Sequence, residues 1–402
     1  MTAENMLGKD ERPRFFVVDD AAARGLAAPE PRHGVALRSY VRSLAGMQKE
    51  ALIVSSGTDA AWRLVSDEGP YLAGHDEAPF PLAFMSAGMV ASYFGEIAGL
   101  AERQGVTLEG LRLALDSRYT MEGSALRGTM LGGALSPELE VTVDAQPAGA
   151  DLPGLCADAL RASPLHGLLG GRHTSRFTLT SNGHQLSVGR VAALEAPVLP
   201  DPAGLFDKLT VAGPADADQL MIRSTPAQLH EGEGGHGSSL QAEQKRTLHV
   251  RATCTARADG VKDIEINLFK PSGSSFHFLS DEPSGPQAGR APDAATLVAA
   301  GIGFCFLTQF GRYAAIAKKQ LDGYRTIQDT QFSPFSAFAP GGGSAGTGGS
   351  GRADPVETHV FVDTPEDDDF ARTLVDMGEQ TCFLHALCRT ELEPTLRVAT
   401  PA

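Results

Sequence analysis

The chain has 402 residues, 42% hydrophobic and 21% charged, a balance ordinary for a soluble globular protein of two or three domains. Its net charge of −15 argues against phosphate-driven nucleic-acid binding, which needs a basic surface. Five cysteines, an odd number in a large chain, exclude a secreted disulfide scaffold and point to free thiols in a cytoplasmic setting. The start, Met1-Thr2-Ala3-Glu4-Asn5, lacks the basic-then-apolar order of a secretory leader. The longest apolar stretch, 294–307, is too short to span a bilayer, so no membrane partner is expected.

In chain order, 1–33 is polar and Pro-containing and belongs to an N-terminal arm over 1–50. Within that arm 35–47 is predicted as a short amphipathic helix. Strands are predicted at 51–54 and 61–65, around the turn Ser56-Gly57-Thr58-Asp59. A long apolar helix should run from Pro79 to Gln104, where Gly105 is placed to end it. Strands at 111–119 and 139–143, a helix over 150–169 and a strand at 176–180 complete a first unit, 51–190. The segment 191–246 is read as a linker, because 193–240 is rich in Pro and Gly and suits an exposed link. His230 and His236 are taken as solvated linker residues.

A second unit, 247–402, repeats the pattern. Strands are expected at 247–256, 263–269 and 275–279, then a long helix over 292–320, strands at 324–333 and 356–362, a helix over 366–387 and a closing strand at 390–398. The Gly-rich run 340–351 lacks the Gly-Lys-Ser/Thr ending of a phosphate loop and is read as a flexible hairpin loop. Segregated strands and helices point to an α+β fold rather than alternating α/β.

The two units align by eye. Trp62–Glu68 matches Phe276–Glu282, Ala87-Gly88 matches Ala300-Gly301, and Ser163-Pro164-Leu165-His166 matches Cys382-Phe383-Leu384-His385. The offset is 214 from Trp62 to Phe276, 213 from Ala87 to Ala300 and 219 from Ser163 to Cys382. A period this long is a domain duplication, not a solenoid. Where the second unit has Cys305 and Cys382, the first has Ser92 and Ser163, which cannot run thiol chemistry. Ser92 and Glu96, four apart, are read as structural.

The candidate chemistry lies in the second unit. Cys305, Gln309 and Arg312 fall on one face of the long helix. Cys382, His385 and Cys388 are spaced by three on the shorter helix. Two thiols and one imidazole fall short of the four ligands of a structural zinc site, so no metal or cofactor is expected.

An apolar helix with Pro292, Ala299-Ala300 and Cys305, then two strands, then a helix opening at Cys382, resembles the OsmC/Ohr family of thiol peroxidases. The resemblance covers 247–398 and reaches 51–182 through the repeat. It implies a sheet wrapped around a long buried helix in each copy, and two tandem copies packed as an intramolecular pseudo-dimer. It also implies reduction of small organic hydroperoxides, with Cys305 as the attacking thiol, Cys382 as the resolving thiol and an external dithiol reductant. Family members lower the thiol pKa with an arginine held by a glutamate nine or ten residues before the cysteine. Here Ala295 and Thr296 stand at those positions; Asp293 or Glu282 are the substitutes, and Arg290, Arg251 and Arg312 are the candidate arginines. His166 and His385 share a repeat position; His385 is read either as a structural donor or as a base beside Cys382.

Two alternatives stay open. One is a different cysteine-dependent or acid/base reaction on a small apolar substrate, suggested by the absent glutamate and by Gln309 and Arg312. The other is a non-catalytic ligand-binding protein. Substrate identity and homo-oligomerisation are open as well.

Overall fold

The computed structural model describes residues 3–399 apart from 59, 146–148, 214–216, 228–234, 284, 286 and 335–349. Most of the Gly-rich run 340–351, and His230, therefore lie outside the described residues. The fold is α+β: two sheets and six α-helices among the described residues.

The first sheet runs Ala192–Ala193, Arg176–Ser181, Glu357–Asp363, Gly323–Ser333, Val35–Ser43, Lys49–Ser55, Ala61–Ser66, Phe16–Val18 and Val211–Ala212. The second runs Met221–Thr225, Ser275–Ser280, Lys262–Lys270, Glu243–Ala256, Arg112–Ser124, Glu138–Thr142 and Thr395–Ala399. Each sheet draws strands from both ends of the chain. In the first, Val35–Ser43 pairs antiparallel with Gly323–Ser333, Tyr40 opposite Ile327. In the second, Glu243–Ala256 pairs antiparallel with Arg112–Ser124, Val250 opposite Ser117.

The long helix Ala294–Ala317 lies on the first sheet and Pro81–Arg103 on the second, and the two helices pack against each other. Both are apolar on nearly every side because both are covered on nearly every side. Ala294–Ala317 is long and apolar enough to cross a membrane by length and composition, yet 89% of its most apolar window is buried inside the fold. Asp293 starts it, its carboxylate accepting from the Thr296 backbone N–H at 2.7 Å. Gly88 and Gly301 allow the helices to touch. A Cβ at Gly88 would lie 2.5 Å from the Ala294 carbonyl oxygen, and one at Gly301 would lie 3.0 Å from the Met85 nitrogen. Phe84 and Phe304, 5.1 Å apart between ring centroids, fill the crossing, and one apolar core runs through both ends of the chain.

The structure overturns four expectations. Residues 35–47 are not a helix: Val35–Ser43 is a central strand. Leu37 and Val41 face the main core, while Tyr40 on the opposite side joins a second apolar cluster with Phe16, Leu52 and Phe206. Burial on both faces erased the alternation that marks a half-exposed strand. The arm and the linker are not wholly exposed. Phe15 and Phe16 are fully buried, and Phe206 and Leu209 of the linker cover the outer face of the first sheet. The predicted helix 150–169 is Leu152–Ala162 followed by a short 3₁₀ turn, Pro164–Leu168. Finally, 366–387 is not one helix. It is Asp368–Thr381 and Phe383–Arg389, interrupted at Cys382, whose extended backbone (φ −71°, ψ 120°) ends one helix and begins the next.

Candidate active site

That interruption positions the second thiol. The Cys382 sulfur accepts from the His385 backbone N–H at 3.5 Å, in the manner of an N-cap, and lies 3.2 Å from His385 Nδ1. Cys305, midway along Ala294–Ala317, has the Cys382 thiol and the Leu384 backbone N–H as electrostatic neighbours. Two thiols far apart in sequence therefore meet, and both are free.

Cys305 opens on a cavity of about 40 Å³. Gln309 and Arg312 line it, as the helical spacing predicted, together with Thr308, Glu68, Tyr71 and Arg246. Apolar walls come from Leu72, Leu82, Leu248, Leu268 and Phe383. His385 stands behind Cys382, its ring between Phe177 (5.7 Å) and Phe306 (4.9 Å). Arg290 lies elsewhere: it is exposed, its Nε donating to Asp281 at 2.8 Å and its Nη1 lying 3.4 Å from Asp259. Arg251 is likewise engaged, donating to Asp116 at 2.6 Å. Of the three candidate arginines, Arg312 alone lines this cavity.

Burial dominates the electrostatics. It pushes the Cys305 thiol well above its ordinary range, the neighbouring Cys382 thiol adds to this, and the Leu384 N–H opposes it. It pushes His385 down to about 4, so the imidazole is neutral near pH 7. It raises Glu68, which accepts from Tyr71 Oη at 2.8 Å and Thr308 Oγ1 at 3.3 Å. It lowers Lys49, against the pull of Glu68, Asp67 and Cys305. Lys49 is 1% exposed and donates to the Met47 carbonyl.

Glu68 and Lys49 come from the first part of the chain, and the sequence reading missed both. A signal existed. Lys49 precedes Lys262 by the same 213 positions that separate Ser92 from Cys305, and Glu68 aligns with Glu282. The proposed substitutes, Glu282 and Asp293, line a different pocket of about 440 Å³, together with Ser92, Glu96 and Arg103. There Lys262 donates to Glu282 at 3.3 Å, and the Ser92 and Ser163 hydroxyls are 2.8 Å apart. Proximity in sequence assigns Glu282 to Cys305, whereas the fold brings Glu68 to the Cys305 cavity and Glu282 to the pocket of Ser92. The His166 ring, also pushed down to about 4 by burial, takes a different partner from His385: its Nδ1 lies 3.1 Å from Tyr93 Oη.

Neither a family model nor a curated protein matches the sequence. A solved structure, the OsmC-like hydroperoxide resistance protein from Jannaschia sp. CCS1, is similar over 39% of this chain and 99% of its own, at 20% identity and a TM-score of 0.25.

Proposed function

We propose that the protein is a thiol-dependent peroxidase for small organic hydroperoxides, built from two tandem OsmC-like copies packed as an intramolecular pseudo-dimer. One observation carries the chemistry: Cys305 lines a cavity and has the Cys382 thiol as a close electrostatic neighbour. Three parallels support the two copies. Val35–Ser43, Lys49–Ser55 and Ala61–Ser66 pair successively in one sheet, as Glu243–Ala256, Lys262–Lys270 and Ser275–Ser280 do in the other. Ser92 and Ser163 are hydrogen-bonded neighbours, as Cys305 and Cys382 are electrostatic neighbours. Lys262 and Glu282 pair beside the serines as Lys49 and Glu68 interact beside the thiols.

The Cys305 thiolate attacks one peroxide oxygen. An S–O bond forms, the O–O bond breaks, and the alkoxide leaves as the alcohol with the proton lost by the thiol. The Lys49 charge and the Leu384 N–H favour the thiolate, against burial, Cys382 and Glu68. The Cys382 thiol then attacks the sulfenic sulfur; an S–S bond forms and water leaves. A cytoplasmic dithiol restores both thiols by exchange and is itself oxidised to a disulfide. His385, neutral and in contact with the Cys382 sulfur, orients that thiol.

Consumption of tert-butyl hydroperoxide with dithiothreitol tests this. Cys305→Ser abolishes it, and Cys382→Ser leaves a sulfenic acid that dimedone traps. Equal rates for wild type and Cys305→Ser overturn the proposal. The upward displacement of both Cys305 and Glu68 favours one second reading, a pocket of neutral donors serving acid/base chemistry. A single alkylatable thiol with no disulfide on oxidation selects it.

A further inference from the structure

We infer that the Cys305 cavity contains an anion subsite at Arg312, selecting ligands with a carboxylate head and a short apolar body. That the natural ligand also bears a peroxide rests on the peroxidase reading; the subsite itself is read by binding alone.

Arg312 is 4% exposed and lines the cavity. Its Nε donates to the Ser239 carbonyl at 2.8 Å, and its Nη1 donates to Gln309 Oε1 at 3.3 Å and lies 3.8 Å from the Met121 sulfur. All three acceptors are neutral. Its Nη2 has no partner, and among the described residues no carboxylate lies within ion-pair distance of the guanidinium. The carboxylate that shares the cavity, Glu68, is taken up by Tyr71 and Thr308. A second guanidinium, Arg246, also lines the cavity and opposes the Arg312 charge.

A buried cation held only by neutral acceptors is an expensive arrangement, and it is relieved by an anion that brings its own lone pairs. A carboxylate matches the planar fork of a guanidinium, accepting from Nη1 in place of its long contacts to Gln309 and Met121. Burial, together with Arg246, lowers Arg312 to about 9 against the pull of Glu68, so it is still cationic at pH 7. Leu72, Leu82, Leu248 and Leu268 provide the apolar wall, and about 40 Å³ confines the ligand to a short chain.

The test is isothermal titration of butyrate and of butanamide, its neutral isostere, into wild type, Arg312→Gln and Arg312→Lys at pH 7. Butyrate is expected to bind wild type at least about tenfold more tightly than butanamide, the discrimination of one charge-assisted hydrogen bond. Arg312→Gln abolishes the preference and Arg312→Lys keeps part of it. Equal affinity of the two ligands for wild type, an undiminished preference in Arg312→Gln, or no butyrate binding overturns the inference. Should Arg312→Gln fail to fold, the wild-type pair of ligands still decides. Butyrate binding by a protein that consumes no peroxide removes the peroxidase reading and keeps the subsite; peroxide consumption without butyrate preference does the reverse.

Discussion

His385 is an imidazole that the fold holds in its neutral form. Burial lowers it to about 4, whereas the unfolded chain titrates near 6.5. Between those pH values the unfolded state binds the extra proton, so stability falls as pH drops from about 6.5 towards 4. A displacement of that size corresponds to about 3 kcal/mol. His166, lowered by a similar amount, acts in the same direction. Buried carboxyls act in the opposite direction: Asp293, raised to about 6, favours the folded state as acid protonates it. A difference between variants isolates the imidazole. His385→Phe, which preserves a ring between Phe177 and Phe306, should lose about 2–3 kcal/mol less than wild type when urea denaturation is compared at pH 7 and pH 4.5. Parallel losses would place the acid sensitivity elsewhere.

At the scale of elements, the crossing of the two long helices depends on two positions without side chains. Gly88→Ala drives a Cβ to within 2.5 Å of the Ala294 carbonyl oxygen, where backbone must move. Overpacking of this kind costs roughly 1–3 kcal/mol. Gly99, in the same helix but half-buried, has only the tip of Arg103 within reach at 3.4 Å. Gly99→Ala should therefore be neutral or stabilise by roughly 0.5–1 kcal/mol through helix propensity. Thermal melts of the two variants check the contrast, and equal melting temperatures would show that the crossing tolerates a methyl group. The long helices were legible because length and apolarity suffice to define them. Val35–Ser43 was not, because a strand covered on both faces carries no period of two. The break at Cys382 was hidden because neither Gly nor Pro marks it, only a sulfur accepting the His385 N–H. In the first part of the chain Pro164 does mark the break after Ser163, within the span 150–169 predicted as one helix.

The whole molecule is interleaved. The first sheet is joined at its centre by Arg38 opposite Asp329, and the second by Arg251 opposite Asp116. Both are also ion pairs, at 2.8 and 2.6 Å. Sequence order alone suggested two bodies with a link between them; which strand joins which sheet is set by long-range pairing that no local pattern encodes. The same exchange is why Glu68 and Lys49 reach Cys305 from the far end of the chain. Residues 1–230 and 231–402, expressed separately, should each show no cooperative unfolding by circular dichroism, and co-expression should restore a single transition. A cooperative transition in either piece alone would show that it possesses a self-sufficient core.

That joining also has a consequence during synthesis. Arg38 and its partner Asp329 are 291 residues apart. At about 5–20 residues per second, a ribosome needs roughly 15 to 60 s to deliver the second after the first. Throughout that interval Val35–Ser43 has one unpaired edge, so the nascent polypeptide offers a sticky template to its neighbours until late in translation.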